Sequence, residues 1–169
     1  MTETVAQKDV HRESTAQGES KYLSFALANE EYGLEILKVR EIIGYVEVTS
    51  VPQMPSYVKG VINLRGQVVP VVDLRARFGM ESMDITAETC IIVVETAAGG
   101  QGSHGTSNTG IIVDRVREVL AIPEQDIEPP PQFGAAVDTA FILGLGKTGE
   151  RVTILLDIDR ILGDEGMGF

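Results

Sequence analysis

One cysteine in 169 residues excludes an internal disulfide and any zinc site built from several thiolates. That residue, Cys90, opens the apolar run CIIVVE and reads as an enclosed thiol in a strand, not a reactive one. Histidine is nearly as scarce. His11 lies in a polar leader and His104 in a glycine-rich stretch, so neither sits on a rigid frame suited to general-base, metal or phosphotransfer work. Ser103 beside His104 is accordingly a chance neighbour, not a nucleophile with its base. Positive charge is also in deficit: 14 basic against 25 acidic residues give a net charge of −11. Such a chain repels phosphate backbones and anionic lipid, which argues against nucleic acid or a membrane surface as partner. No apolar run approaches the ~18 residues of a membrane span, and the N-terminus has no signal-peptide core. The expected location is cytoplasmic.

What is present is a repeat. Lys59 to Gly79 returns in altered form as Leu143 to Gly163, 84 positions later, aligning Tyr57 with Phe141, Gly60 with Gly144 and Asp73 with Asp157. Upstream, GLEILKVREII (Gly33 to Ile43) matches GIIVDRVREVL (Gly110 to Leu120) at an offset of 77. Loops absorb the difference between the offsets. Two versions of one β-rich lobe follow, and function is to be sought where the copies differ.

Residues 1–20 are polar, lack apolar periodicity and read as a disordered tail, and residues 164–169 as a short C-terminal one. Between them, 21–163 form a single ordered domain. KYLSFALANEEYGLEI alternates around a polar turn, Asn29-Glu30-Glu31, and predicts a hairpin. Leu37 to Ile43 fits a helical turn or a strand equally. GVINLRGQVVPVVDL predicts two strands joined near Arg65-Gly66, with Pro70 confined to a strand edge or bulge. Asp73 caps a short helix, Leu74 to Phe78, closed by Gly79; Asp157 does the same for Ile158 to Leu162, closed by Gly163. The second copy opens with strand Thr89 to Glu95, then a long mobile loop, TAAGGQGSHGTSNTG, then strand Gly110 to Val113. EPPPQFGAA is too proline-rich for a strand. Many short strands with regular turn signals predict an all-β protein of two barrel-like lobes.

Gly146-Lys147-Thr148 invites a phosphate-loop reading. That loop needs a glycine five residues earlier, where Phe141 stands, and a helix afterwards, where ERVTILL predicts a strand. The hairpin reading prevails. Acidic residues are plentiful but scattered, so catalysis has no positive support. The informative difference between the copies is Arg65: Glu41 has a counterpart in Glu118, yet the position matching Arg65 is Gly149. Arg65 is either a solvated turn residue or the partner of Glu41 in a charged patch restricted to the first lobe.

EEYGLEILKVREI, PSYVKGVINLRGQVVPVVDLR, GIIVDRVREVL and FILGLGKTGERVTILLDIDRIL together resemble the CheW family of bacterial chemotaxis coupling proteins. The resemblance runs from about Tyr22 to Leu162, and the second block is its most specific part. It implies two SH3-like, five-stranded β-barrel lobes with some strand exchange between them, no enzymatic activity and no cofactor. It further implies an adaptor that joins the regulatory domain of a CheA-type histidine kinase to the cytoplasmic tips of methyl-accepting chemotaxis receptors. Such an adaptor stays cytoplasmic and is recruited to membrane-associated receptor arrays. By matching motif, Glu41 and Arg65 fall where the family forms a charged pair at the receptor-binding surface, with Val39, Gly60 and Val61 beside it. Cys90, Gly110, Val116 and Val119 fall on kinase-docking positions, expected on the other lobe. The loop Thr96 to Thr109 is longer than the usual tight hairpin. An adaptor of a chemosensory array serving something other than flagella is the nearest alternative. A small β-barrel hydrolase is disfavoured by the lack of a rigid histidine or metal cluster.

Overall fold

A computed structural model describes residues 19–97, 106–130 and 139–163. Among them run eleven strands: β1 (Glu19–Leu27), β2 (Glu30–Glu35), β3 (Val39–Gly44), β4 (Val58–Leu64), β5 (Gln67–Asp73), β6 (Cys90–Ala97), β7 (Thr106–Val113), β8 (Arg115–Pro123), β9 (Ile127–Glu128), β10 (Ile142–Thr148) and β11 (Arg151–Leu156). Two short helices follow β5 and β11: α1 (Leu74–Arg77) and α2 (Ile158–Leu162). Both caps are as the sequence predicts, for the Asp73 carboxylate accepts from the Arg75 amide and the Asp157 carboxylate from the Arg160 amide.

The strands form two sheets, ordered β3-β6-β7-β5-β4 and β8-β1-β2-β11-β10-β9. The order shows how the repeat is used. Each copy sends its first two strands into the other copy's sheet, so β6 and β7 complete the lobe of β3–β5 while β1 and β2 complete the lobe of β8–β11. The joins match: β5 runs parallel to β7 with Val71 beside Gly110, and β11 runs parallel to β2 with Leu155 beside Gly33. The exchange is therefore reciprocal, and neither half of the sequence can complete a sheet alone.

This arrangement accounts for the unbroken apolar run in β6. Ile92 and Val94 face a central core shared by both sheets and both helices, while Ile91 and Val93 face the interior of the first lobe with Ile62, Val69 and Val71. A strand buried on both faces has no polar positions to alternate. Across the central core the rings of Phe25, Tyr32, Phe78 and Phe141 follow one another at 5.9, 6.0 and 6.2 Å. Burial of the Tyr32 hydroxyl pushes its pKa up to about 12.

The second lobe has a smaller apolar interior, of Tyr22, Ile122 and Leu155. By repeat position and strand register, Ser24, Thr153 and Gly146 stand where the first lobe has Val93, Val69 and Ile62. Ser24 Oγ is satisfied by the backbone of Glu118, donating to its carbonyl at 2.8 Å and accepting from its amide at 3.1 Å. Thr153 Oγ1 is buried without a partner among the described residues.

Several expectations need correction. The first hairpin turns at Ala28-Asn29, so Glu30 and Glu31 belong to β2. The stretch from Leu37 is both structures in turn, a 3-10 turn over Ile36–Lys38 and then β3. Pro70 lies inside β5, an interior strand, opposite Val61 in continuous register. It is tolerated because Val61 gives both its amide and its carbonyl to Thr49 instead, at 2.9 Å each. Lys147 and Thr148 are strand residues, and the turn itself is Gly149-Glu150. β6 continues to Ala97 and β7 begins at Thr106, so most of the long loop, with Ser103 and His104, lies outside the described residues, as do His11 and much of the proline-rich stretch. β1 starts at Glu19, two residues before the expected boundary, and the rest of the leader is likewise outside them.

Candidate functional site

β3 and β4 are the two ends of their sheet's order, yet Glu41 on β3 and Arg65, at the tip of the β4–β5 hairpin, touch. The sheet therefore curls until its edges nearly meet, which makes this lobe barrel-like and places a charged pair across the seam. The contact is bidentate: Arg65 Nη2 donates to Glu41 Oε1 at 2.7 Å and Nη1 to Oε2 at 3.1 Å. Hydrogen bonds from Arg65 hold the Glu41 carboxyl below the usual carboxylate range. Next to the pair, Arg40 Nη1 donates to Glu95 Oε1 at 2.8 Å. Together Arg40, Glu41, Leu64, Arg65, Gln67 and Asn108 rim an open cleft of about 320 Å³ with Val93 at its base.

Arg65 occupies its turn at a cost. Its φ is +52°, and Gly66 follows at +89°, so a two-residue hairpin loop has both residues in the left-handed region. In the second lobe the corresponding first residue is Gly149, at φ +66°. Left-handed backbone disfavours any side chain with a Cβ, so the arginine stands where the fold's own second copy uses glycine. The side chain is 71% exposed, so packing does not account for its presence.

The other three positions expected beside a receptor surface divide by burial. Val39 is half-buried against the central core, and Val61 is half-buried beside Thr49. Gly60 is buried with φ +147°, and a Cβ there would lie 1.9 Å from the Thr49 carbonyl oxygen. Its role is to let the segment around Thr49 cross β4 closely. The four positions expected to dock the kinase do not share a lobe. Strand exchange puts Cys90 (β6) and Gly110 (β7) in the same sheet as Glu41, whereas Val116 and Val119 lie on β8, the edge strand of the other sheet. Cys90 is half-buried, not enclosed, with its thiol donating to the Glu88 carbonyl at 3.3 Å. Gly110 is buried beneath the Ile91 side chain. Val116 packs against the central core, while Val119 is 51% exposed.

Sequence reading missed Glu31, assigned there to a turn. On β2 its side chain is only 10% exposed and lies between two guanidinium groups, 2.6 Å from Arg151 and 4.0 Å from Arg117. The pairing across β2–β11 carries the signal, and it became visible only once that parallel join was known. Lys147, tested above as a phosphate ligand, instead meets Glu128 at 2.9 Å. Among the described residues no group of three or more His, Cys, Asp or Glu side chains could hold a metal, and no helix is long and apolar enough to cross a membrane.

Comparison with known proteins gives one answer. Residues 21–166 match the family model described as a CheW-like domain. The chemotaxis protein CheW of Klebsiella aerogenes is 42% identical over 147 residues, covering 87% of this chain and 84% of that protein. Protein FrzA of Myxococcus xanthus is 28% identical over 148 residues, covering 87% and 88%. Among solved structures, the scaffolding protein TtCheW from Thermoanaerobacter tengcongensis superposes with a TM-score of 0.76 at 37% identity, covering 89% of this chain and 97% of that one.

Proposed function

The chain belongs to the CheW-like family, and on that premise we propose that it is a non-catalytic adaptor coupling chemoreceptor tips to the regulatory domain of a CheA-type histidine kinase. In this reading the protein works in the cytoplasm and is recruited to membrane-associated receptor arrays. The receptor face is the seam of the first lobe, where Glu41 and Arg65 form the recognition pair and Val39, Gly60 and Val61 shape the surface beneath. Cys90, Gly110, Val116 and Val119 belong to the kinase side, with Val119 the residue best exposed for contact.

The observation that carries the reading is Arg65 itself: a left-handed, exposed arginine where the internal repeat has glycine. Folding gains only an exposed ion pair from that choice, whereas a partner gains a planar fork held by Glu41. Binding of purified receptor-tip fragment and of kinase regulatory domain tests it. Arg65→Glu should lose receptor binding and keep kinase binding, and the double exchange Glu41→Arg with Arg65→Glu should recover part of the receptor affinity. A folded Arg65→Glu protein that binds receptor normally would refute the assignment.

A further inference from the structure

The second lobe shows what the cleft of the first is built to hold. Strand register and repeat spacing make the two clefts superposable in sequence terms: Arg40 corresponds to Arg117, Glu41 to Glu118, Gln67 to Arg151 and Asn108 to Glu31. In the second lobe the Glu31 carboxylate is nearly buried between Arg151 and Arg117, so the site is filled from within the chain. In the first lobe Arg40 keeps the place of Arg117 and Gln67 replaces Arg151, while a second arginine, Arg65, enters the same cleft from the turn; the residue matching Glu31 is Asn108, which is neutral and one methylene shorter. An open cleft of about 320 Å³ is left there. Both arginines are well exposed, at 54% and 71%, and Arg40 gives one N–H to Glu95 out of the five a guanidinium carries. Arg65 is held by Glu41 and Arg40 by Glu95, yet both guanidinium groups keep further exposed N–H groups, and the position that Glu31 fills in the second lobe carries no charge in the first.

We infer that the first-lobe cleft, between Arg40 and Arg65 and over Asn108, receives an aspartate or glutamate side chain of the receptor in the place Glu31 fills in the second lobe. This rests on the receptor-coupling reading of Arg65 and adds the chemistry of the contact. An incoming carboxylate shares the two guanidinium groups with Glu41 and Glu95 and meets their remaining N–H groups and the Asn108 amide, and charge-assisted hydrogen bonds of this kind are the strong ones. The other lobe cannot take the same ligand, because its own glutamate is already there. One molecule with two similar lobes thereby offers only one receptor face.

Supplying the missing carboxylate from within should close the site. Asn108→Glu places the second lobe's carboxylate at the matching position of the first and should weaken binding of a receptor-tip fragment at least tenfold, with kinase binding and melting temperature kept. Asn108→Gln, neutral and of similar length, should bind close to normally. On the receptor side, acidic residues of the tip are changed singly to their amides. One such change should weaken binding to the wild-type chain yet cost little further with Asn108→Glu or Arg40→Gln, which marks direct coupling. Wild-type binding with an indifferent Asn108→Glu, or with no acidic receptor residue coupled to Arg40, overturns the inference alone. Failure of the wild-type chain to bind receptor at all would remove the coupling reading and this inference with it.

Discussion

Arg77 Nε donates a hydrogen bond of 3.2 Å to the carbonyl of Ile161, the residue 84 positions on that is its own counterpart in the repeat. A residue can touch its counterpart only near the pseudo-two-fold axis, as in a symmetric dimer. The guanidinium lies between two further counterparts, 4.6 Å from the ring centre of Tyr57 and 4.7 Å from that of Phe141. Their carbonyls accept equivalent bonds, from the amides of Asp73 and Asp157, at 2.8 Å each. The axis admits one cation. A second arginine at position 161 would oppose the first, and the chain places a buried isoleucine there instead.

Arg77→Ala should therefore loosen the junction between lobes without touching either proposed partner surface. Loss of two cation–π contacts and a carbonyl partner should cost about 1–2 kcal/mol. Urea unfolding should show a lower midpoint at unchanged slope. Unaltered stability would mean that the stacking is ornamental.

A second tie across the halves is the pair Arg75–Asp114, whose side chains are 13% and 14% exposed. Arg75 donates through Nε at 2.8 Å and Nη2 at 2.7 Å, and the Ala28 amide adds a third bond to the carboxylate. Burial alone would push the Asp114 carboxyl up, but the bonds from Arg75 and Ala28 outweigh it and leave the pKa below its ordinary 3.8. A depressed carboxyl stabilises the fold fully above its unfolded value and loses that contribution as pH falls through the lower folded value. Asp114→Asn should cost about 3 kcal/mol at neutral pH by leaving the Arg75 charge without its carboxylate. Its stability should then fall less steeply than wild type below about pH 4. Parallel pH curves would refute the linkage.

Thr153→Val should raise stability by roughly 1 kcal/mol, because it removes a buried hydroxyl with no partner and restores the residue the first lobe has at Val69. Calorimetry of the two proteins checks this. A drop would show that the hydroxyl is satisfied in solution.

How much of this was legible in the sequence follows from which signals are local. The caps at Asp73 and Asp157 and the β4–β5 hairpin depend on neighbours in the chain, and they were read correctly. The Glu41–Arg65 contact is one of two readings that the mismatch between copies allows. The exchange of β1–β2 against β6–β7 leaves only the unbroken apolar run of β6, which tells that the strand is buried on both faces but not which copy it joins. Cys90 and Gly110 were therefore expected on the wrong lobe. Glu31 looked like a turn residue because its arginine partners lie 86 and 120 positions away. Acidic strand residues become readable only when their counter-charges are known.

Val119 and Val116 should now behave differently, although the sequence set them level. Val119→Lys places an ammonium on an exposed edge-strand position and should leave the melting temperature within a few degrees. In the proposed kinase contact it should cost several-fold to hundred-fold in affinity, with receptor binding kept. Val116→Lys pushes a charge toward the central core and should destabilise the fold and lose both partners together. Equal kinase binding by folded Val119→Lys would take β8 out of the kinase face.

Arg65→Gly separates what the turn needs from what the partner needs. Glycine is the residue the second lobe uses at this backbone position, so the substitution relieves left-handed strain. Against that stand the added freedom of the unfolded chain and the loss of an exposed ion pair, two small terms of opposite sign to the relief. The three nearly cancel, and the melting temperature should move by no more than about 2–4 °C. Receptor binding should fall as far as it does in Arg65→Glu if the fork itself is the contact. It should fall less if the negative charge of the glutamate was responsible. Comparing the two variants at one salt concentration therefore tells loss of an anchor from gain of a repulsion. A turn that melts far earlier with glycine would mean that Arg65 holds the barrel seam closed, and the contact with Glu41 would then be structural first.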